Sequence, residues 1–501
     1  MSAPTMERFC RLAVNGLIVN PNIYDGGAIE TVGVRASPQP TCYEIREGWG
    51  MSSEWQSVII EDIAAPYPSS LSTGPFGSAI SSKFFTESGV PVIRGSNLSA
   101  NISYRLIENG LVFVTSEKAS EFKRSIAKRG DLVFTCWGTI NQVGFIDHLS
   151  QYKEYIVSNK QMKLTVDPLK VDSLFLYYVF LGPIKQKEIL DNGIGSSVPG
   201  FNLGQLKRHR VELPPVAEQK QISNFLGTLD DRITLLRETN TTLESIAQAL
   251  FKSWFVDFDP VRAKQEGREP EGMDADTAAL FPDSFEESEL GLVPKGWSFL
   301  AIGEMVEGIY DGPHATPPEA DNGPIFLGIK NLTGTGLDLT EVRHIHEEQW
   351  QQWTRRVTPR AGDIVFSYEA TLGFFALIPP DVSCCLGRRL ALIRPFANCG
   401  YGHFWLHQFI STPFQRHLDR HTIQGATVNR IALKQFPSYA VLVPPEMVRL
   451  AFDQAASALW SKIHANQAKA QTLTTLRDTL LPRLISGRLR LPDAEALVEE
   501  A

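Results

Sequence analysis

The stretch Leu213-Pro-Pro-Val-Ala-Glu-Gln-Lys-Gln-Ile222 opens the run whose reading decides the fold. Two prolines end a strand-like segment, and a helical pattern begins at once. Ile222, Leu226, Leu229, Ile233, Leu236, Asn240, Leu243, Ala247, Leu250 and Trp254 follow at alternating steps of four and three. That spacing is an a/d heptad seam about 40 residues long, interrupted by the polar Asn240. At 1.5 Å per residue such a helix reaches roughly 60 Å. A helix this long with one apolar seam cannot cover its own face and needs a partner, although each helix packing on its own globule is an alternative.

The same sequence supplies that partner. From Val198 to Phe255 the chain matches itself without a gap 230 residues later. Val198, Leu203, Val211, Pro214 and Pro215 return as Val428, Leu433, Val441, Pro444 and Pro445. The second seam reads Phe452, Ala456, Leu459, Ile463, Asn466, Ala470, Leu473, Arg477, Leu480 and Leu484. Upstream, Arg129-Gly-Asp-Leu-Val-Phe-Thr135 returns as Ala361-Gly-Asp-Ile-Val-Phe-Ser367, and Val90–Leu98 returns as Gly323–Leu332. One unit is a strand-rich globule followed by a long helix, and the chain holds two units. Packing the two helices antiparallel is the simplest way to cover both seams.

The Pro-Pro-x-x-Glu-Gln junction before a heptad helix resembles the central conserved region of type I restriction-modification specificity subunits. The Gly-Asp-Leu-Val-Phe strand before the Gly138-Thr139 turn is similar to a strand of their target-recognition domains. The resemblance covers roughly residues 52–490. The second copy departs from it with Val448-Arg449 where the first has Glu218-Gln219, and the segments before the last strand, at 195–200 and 425–429, are blurred. It implies an α+β architecture: two mixed α/β target-recognition domains separated by two long antiparallel coiled-coil helices, with pseudo-twofold internal symmetry. The expected divisions are an extension over 1–50, recognition domains over 51–213 and 295–443, and helices over 214–259 and 444–487. An acidic linker spans 260–294 and a tail 488–501. The extension lacks periodicity and is expected to be poorly ordered, or to precede the native start at Met51.

By the same resemblance, the chain reads a split site in double-stranded DNA and does no chemistry of its own. It docks two methyltransferase (M) subunits and, through the complex, restriction/translocase (R) subunits, and it binds no cofactor. Base edges are read by side chains with paired donors and acceptors. In the first globule these are Arg94 and Asn97, then Trp137, Thr139, Asn141 and Gln142 on one turn, and Lys160 with Gln161 on another. In the second they are Lys330 and Asn331, Tyr368 and Thr371, and Arg388 with Arg389. Phosphate contacts fall on Lys123-Arg124 and Arg355-Arg356, with Lys128-Arg129, Lys207-Arg208-Arg210 and Arg360 as further clusters. Solvated turns and faces are the plain alternative for every one of them.

Composition neither adds to nor opposes this reading. The net charge is −8 over 501 residues, but residues 269–294 alone hold eight acids and no base. Residues 52–213 carry 17 bases and 15 acids, and residues 295–445 carry 13 of each. Basic residues clustered on one face, or basic partners, would reconcile the balance with DNA. The six cysteines form no CxxC pair, and reduced thiols in a cytoplasm are expected. No apolar run suits a membrane span. His344-x-His346 lacks a nearby third ligand for a metal. Asp257-Phe-Asp-Pro260 only superficially matches a methyltransferase loop, and there is no phosphate-binding GxxxxGK[ST]. A recognition-fused enzyme and a coiled-coil scaffold binding protein are the competing classes.

Overall fold

The computed structural model describes residues 55–195, 199–288, 291–396, 402–425 and 428–499. The expected extension over residues 1–50 lies outside them, as do Cys10, Cys42 and Cys399.

Residues 55–213 and 295–443 build three corresponding sheets, of which the second has four strands in the first half and three in the second. In the first half, strands Leu71–Thr73, Gln161–Leu164, Leu132–Thr135 and Val143–Phe145 lie side by side, all antiparallel. In the second half, Val306–Asp311, Leu390–Pro395, Ile364–Ser367 and Phe375–Leu377 repeat that order. A second sheet holds one parallel neighbour pair in each half, Val92 beside Ile156 and Ile325 beside Cys384. The third is a two-stranded ribbon, Gln56–Ile59 with Arg210–Leu213 and Ser298–Ala301 with Ala440–Val443. Every residue of Leu132–Thr135 and of Ile364–Ser367 is buried. Covered on both faces, these strands read as continuous rather than alternating apolar runs.

The Gly-Asp turn before each of these strands is a brace. Gly130 and Gly362 adopt φ of 92° and 86°, which only glycine takes without strain. The aspartate that follows is buried and paired. Asp131 accepts from Lys128 N and Thr165 Oγ1 and pairs with Lys163 at 3.4 Å. Asp363 accepts from Arg360 N and pairs with Arg394 at 2.6 Å. Arg129-Gly-Asp131 is therefore a turn entering a strand.

The long helices run over Val216–Phe255 and Glu446–Leu484 and pack on each other antiparallel. Asp230 meets Arg477, Asn240 meets Asn466, and Phe251 meets Phe452. Ile222, Leu226, Leu229, Ile233 and Leu236 are buried as the seam requires, as are Ile463, Leu480 and Leu484. Four expected seam residues are only half-buried: Leu243, Leu250, Leu459 and Leu473. Phe251 and Trp460, one position on from Leu250 and Leu459, are buried instead. A straight α-helix drifts about 20° per heptad against a strict seven-residue repeat, so a seam drawn by sequence slips over several turns.

The ends of the helix pair explain the rest. Ile222 and Leu226 from the start of the first helix, with Leu480, Leu481 and Leu484 from the end of the second, join the first half's core around Phe134, Phe175 and Tyr178. Phe251, Trp254 and Phe255, with Val448, Phe452 and Ala456, join the second half's core around Phe366 and Trp405. At its ends each helix serves a globule, and only the middle, around Ile233, Leu236, Ala470 and Leu473, is a pure seam. The packing on globules that had stood as an alternative is thus combined with helix pairing.

The acidic segment 260–294 is more structured than a solvated linker. It forms helices Asp259–Gln265 and Ala275–Ala279 and the hairpin Phe285–Ser288 with Gly291–Pro294. Val261, Phe281 and Val293 are buried, and Phe281 meets Trp254 edge-on at 5.2 Å. Few apolar anchors suffice to hold a segment whose composition is mostly polar. Asp257-Phe-Asp-Pro260 spans the bend and the start of the first of these helices, with Phe258 at φ 58° packed on Trp297.

Candidate nucleic-acid interface

In the first half, strand Leu132–Thr135 runs into the turn Cys136–Gln142. Cys136 N donates to Lys160 O at 2.7 Å, and Phe201 N donates to Cys136 O at 2.8 Å. Three segments distant in sequence therefore meet at one edge. The Trp137 ring lies over Gly200, where a Cβ would stand 2.6 Å from its Cζ3. Trp137 remains 48% exposed, with Thr139 and Lys160 exposed on the same edge.

The second half repeats this junction with other chemistry. Tyr368 N donates to Arg389 O at 3.1 Å, and Ile431 N donates to Tyr368 O at 2.8 Å. Ala370, at φ 69°, stands where the first half has Gly138, and Arg389 is at φ 73°. Two non-glycine residues in this region cost on the order of 1–3 kcal/mol each, and such strain concentrates at functional sites. Arg389 approaches Glu369 at 3.8 Å, while Arg388 and Thr371 are exposed.

The paired bases occupy equivalent places. Lys123 and Arg124 are exposed on a turn tied to strand Leu71–Thr73: Ser125 Oγ donates to Thr73 O at 3.0 Å, and Ser72 Oγ to Arg124 O at 2.6 Å. Arg355 is exposed, and Arg356 forms an ion pair with Asp311 at the end of the matching strand Val306–Asp311. Each half thus gathers an arginine pair or lysine-arginine pair, a basic loop and a turn around one sheet edge.

Several expected readers do other work. Asn97 and Asn331 are buried and brace their own loops. Asn97 Oδ1 accepts from Arg94 N at 3.0 Å while Nδ2 donates to Ile107 O at 2.8 Å. Asn331 accepts from Gly328 N and donates to Asp338 O and Glu341 O. Tight turns leave backbone groups that a short amide satisfies locally. Gln161 is buried against Ser158. Asn141 Nδ2 donates to Gln186 Oε1 at 3.0 Å, and Gln186 Nε2 returns a bond to Asn141 O. Arg94 is half-buried, with Nη2 on Gly110 O and its guanidinium 5.9 Å from the Phe85 ring. Tyr368 is buried, and burial pushes its phenol up to about 12. Gln142 stays half-exposed, with Thr135 Oγ1 donating to its Oε1 at 3.4 Å, and Lys330 is exposed.

Sequence reasoning also missed a buried charge cluster where the first half meets the helices. Arg477, 1% exposed, pairs with Asp230 at 2.6 Å, and Tyr178 donates to the same carboxylate at 2.6 Å. Arg105 pairs with Asp147 at 2.9 Å and Asp231 at 3.0 Å. At the matching place in the second half, Trp460 Nε1 donates to His407 Nε2 at 3.2 Å. Burial depresses His407 and His403 to about 3, so both rings are neutral.

His344 Nδ1 is 2.6 Å from Gly323 O, and among the described residues no group of three or more His, Cys, Asp or Glu is placed to hold a metal ion. Cys136, Cys384 and Cys385 are free thiols that burial pushes up to about 12. Among the described residues no helix is long and apolar enough to cross a membrane.

Residues 53–245 match the type I restriction modification DNA specificity domain. The specificity subunit of the type I restriction enzyme MjaIX from Methanocaldococcus jannaschii is 23% identical over 81% of this chain and 88% of that one. The HindI specificity subunit from Haemophilus influenzae is 23% identical over 72% of this chain and 87% of that one. The chain is similar to type I specificity subunits over most of its length. The crystal structure of the type I S subunit from M. genitalium shares its fold, with a TM-score of 0.53 at 14% identity over 87% of this chain and 98% of that one. These relatives are named as specificity subunits, the class that the sequence resemblance had implied.

Proposed function

We propose that this chain is a type I specificity subunit and that each half of it reads one half of a split, asymmetric DNA site, with residues 51–213 and 295–443 as the two target-recognition domains. The helices over 214–259 and 444–487 act as a coiled coil that holds the domains at a set distance. They also dock two methyltransferase subunits, and restriction subunits join through that complex. The segment 260–294 connects the halves, and 488–501 is a tail. The chain binds no cofactor, and its place is the cytoplasm.

One observation carries this reading: the same edge, made of a turn, a basic loop and a basic pair, is built twice from different side chains. Trp137 and Lys160 of the first half correspond in position to Glu369 and Arg389 of the second. Identical scaffolds with unlike surface chemistry suit two unlike half-sites. Phosphate contacts fall to Lys123, Arg124, Arg355 and Arg356, and base contacts to Trp137, Thr139, Gln142, Lys160, Thr371, Arg388 and Arg389.

The test is methylome sequencing of cells that carry the chain with its methyltransferase partner. Substituting both Lys123 and Arg124 by alanine should weaken binding to every sequence alike. The slope of log affinity against log salt should fall by roughly two, about one per lost phosphate contact. A chain and partner that methylate no split motif would sink the reading.

A further inference from the structure

Beside each of these edges stands a loop that no motif brought forward. In the first half strand Leu71–Thr73 ends in Gly74-Pro75-Phe76, and in the second strand Val306–Asp311 ends in Gly312-Pro313-His314. Gly74 N donates to Gln161 O at 3.0 Å, and Gly312 N donates to Leu390 O at 2.9 Å. Both glycines press on the basic loop. A Cβ on Gly74 would lie 1.9 Å from Ser158 O, and one on Gly312 would lie 2.4 Å from Gly387 O. Only glycine permits that approach, so the tip is seated flush on the loop in both halves. In the first half Asn159 Nδ2 also donates to Gly77 O at 2.9 Å, fastening the tip from its far side.

What the tips display differs. Phe76 is 87% exposed, more than any other large hydrophobic side chain among the described residues. His314 is 61% exposed, and its Nε2 lies 3.2 Å from Asp311 Oδ2, the carboxylate that also holds Arg356. A phenyl ring left in water at the tip of an anchored loop has no folding role to explain it. It stands on the same loop assembly as Lys160 and Trp137, which suits it to an apolar or stacking contact with a base. The histidine at the matching point offers a donor or an acceptor instead.

We propose that Phe76 and His314 are specificity-determining residues, each contacting bases of the half-site read by its own half of the chain. This rests on the reading given above, that the two halves read separate half-sites. Phe76 supplies a contact without hydrogen bonds, and His314 a polar one.

The experiment uses the full chain assembled with its methyltransferase subunits and a pool of duplexes carrying randomised sites. Phe76→Ala should relax the preferred bases in one half-site and lower affinity for the cognate site roughly 5- to 100-fold, the worth of one lost base contact. His314→Ala should do the same in the other half-site only. Phe76→Tyr keeps the ring and should retain the wild-type motif. Both positions are exposed, so an unchanged thermal midpoint is expected, and it separates loss of contact from loss of fold. If the wild-type complex selects no split motif, the reading of the halves fails. If it selects one and both alanine variants keep motif and affinity, the tip assignment fails alone. A uniform loss of affinity with an unchanged motif, or one variant altering both half-sites, overturns it equally.

Discussion

At the scale of single residues, the side chains that hold this molecule in register are polar and buried. Asp230 and Arg477 face each other from opposite helices, 7% and 1% exposed. Removing one partner leaves the other buried charge only its lesser contacts, Asp478 at 2.8 Å for Arg477 and Arg105 at 3.9 Å for Asp230, at a cost of up to about 3–5 kcal/mol. Asp230→Ala and Arg477→Ala should each destabilise by that amount in urea unfolding. The double variant should cost at least about 1 kcal/mol less than their sum, since neither charge is then left alone. Additive losses would show that the two residues act independently. At the matching place the second half has a neutral histidine on Trp460. The chemical difference gives each end of the helix pair its own globule, which an apolar seam alone would not do.

At the scale of elements, the long helices meet at two fixed polar points. Asn466 Nδ2 donates to Asn240 Oδ1 at 2.9 Å, and Asn240 Nδ2 donates to Ile463 O at 3.1 Å. From Asp230 to Asn240 the first helix advances ten residues, while the second retreats eleven, from Arg477 to Asn466. A seven-residue insertion in only one helix cannot satisfy both points. Seven residues inserted in both, after Leu236 and after Ala470, keep the heptad phase and lengthen the pair by roughly 10 Å. At about 34 Å per ten base pairs this is about three base pairs. Methylome sequencing should therefore return both half-sites with a gap widened by two to three base pairs (roughly, on the same arithmetic). The one-helix insertion should fail to assemble. Survival of the compensated variant with an unaltered gap would mean that the helices do not set the spacing.

At the scale of the whole molecule, the proposed units of recognition and the observed units of packing do not coincide. Residues 295–443 form the second set of sheets, yet their core is completed by Phe251, Trp254, Phe255, Val261 and Phe281 from before that range. Replacing 295–443 with the counterpart from a relative puts a foreign face against these rings. The change should alter one half of the methylated motif and leave the other, but lower the thermal midpoint by several degrees. A replacement that starts at Ala247 should alter the same half and recover the midpoint. A change in both halves of the motif would refute modular reading, and equal midpoints would refute the shared core.

The sequence by itself determined the repeat, the two long helices and the position of the Pro-Pro junctions, because these rest on local spacing and on identity between copies. It also indicated both basic pairs and the two turns, which the structure places at equivalent edges. Tertiary structure alone decided which of the candidate readers face solvent. Asn97, Gln161, Asn331 and Tyr368 have the right functional groups, but the loops they stand on need those groups inside. Nor could spacing foretell that Phe251 and Trp460 would displace Leu250 and Leu459 in the interior, since small drifts in helix phase add up over several turns. The Gly-Pro tips were silent in the sequence for a related reason: their meaning lies in contact with a loop some 75 to 85 residues away, and no local pattern reports such an approach.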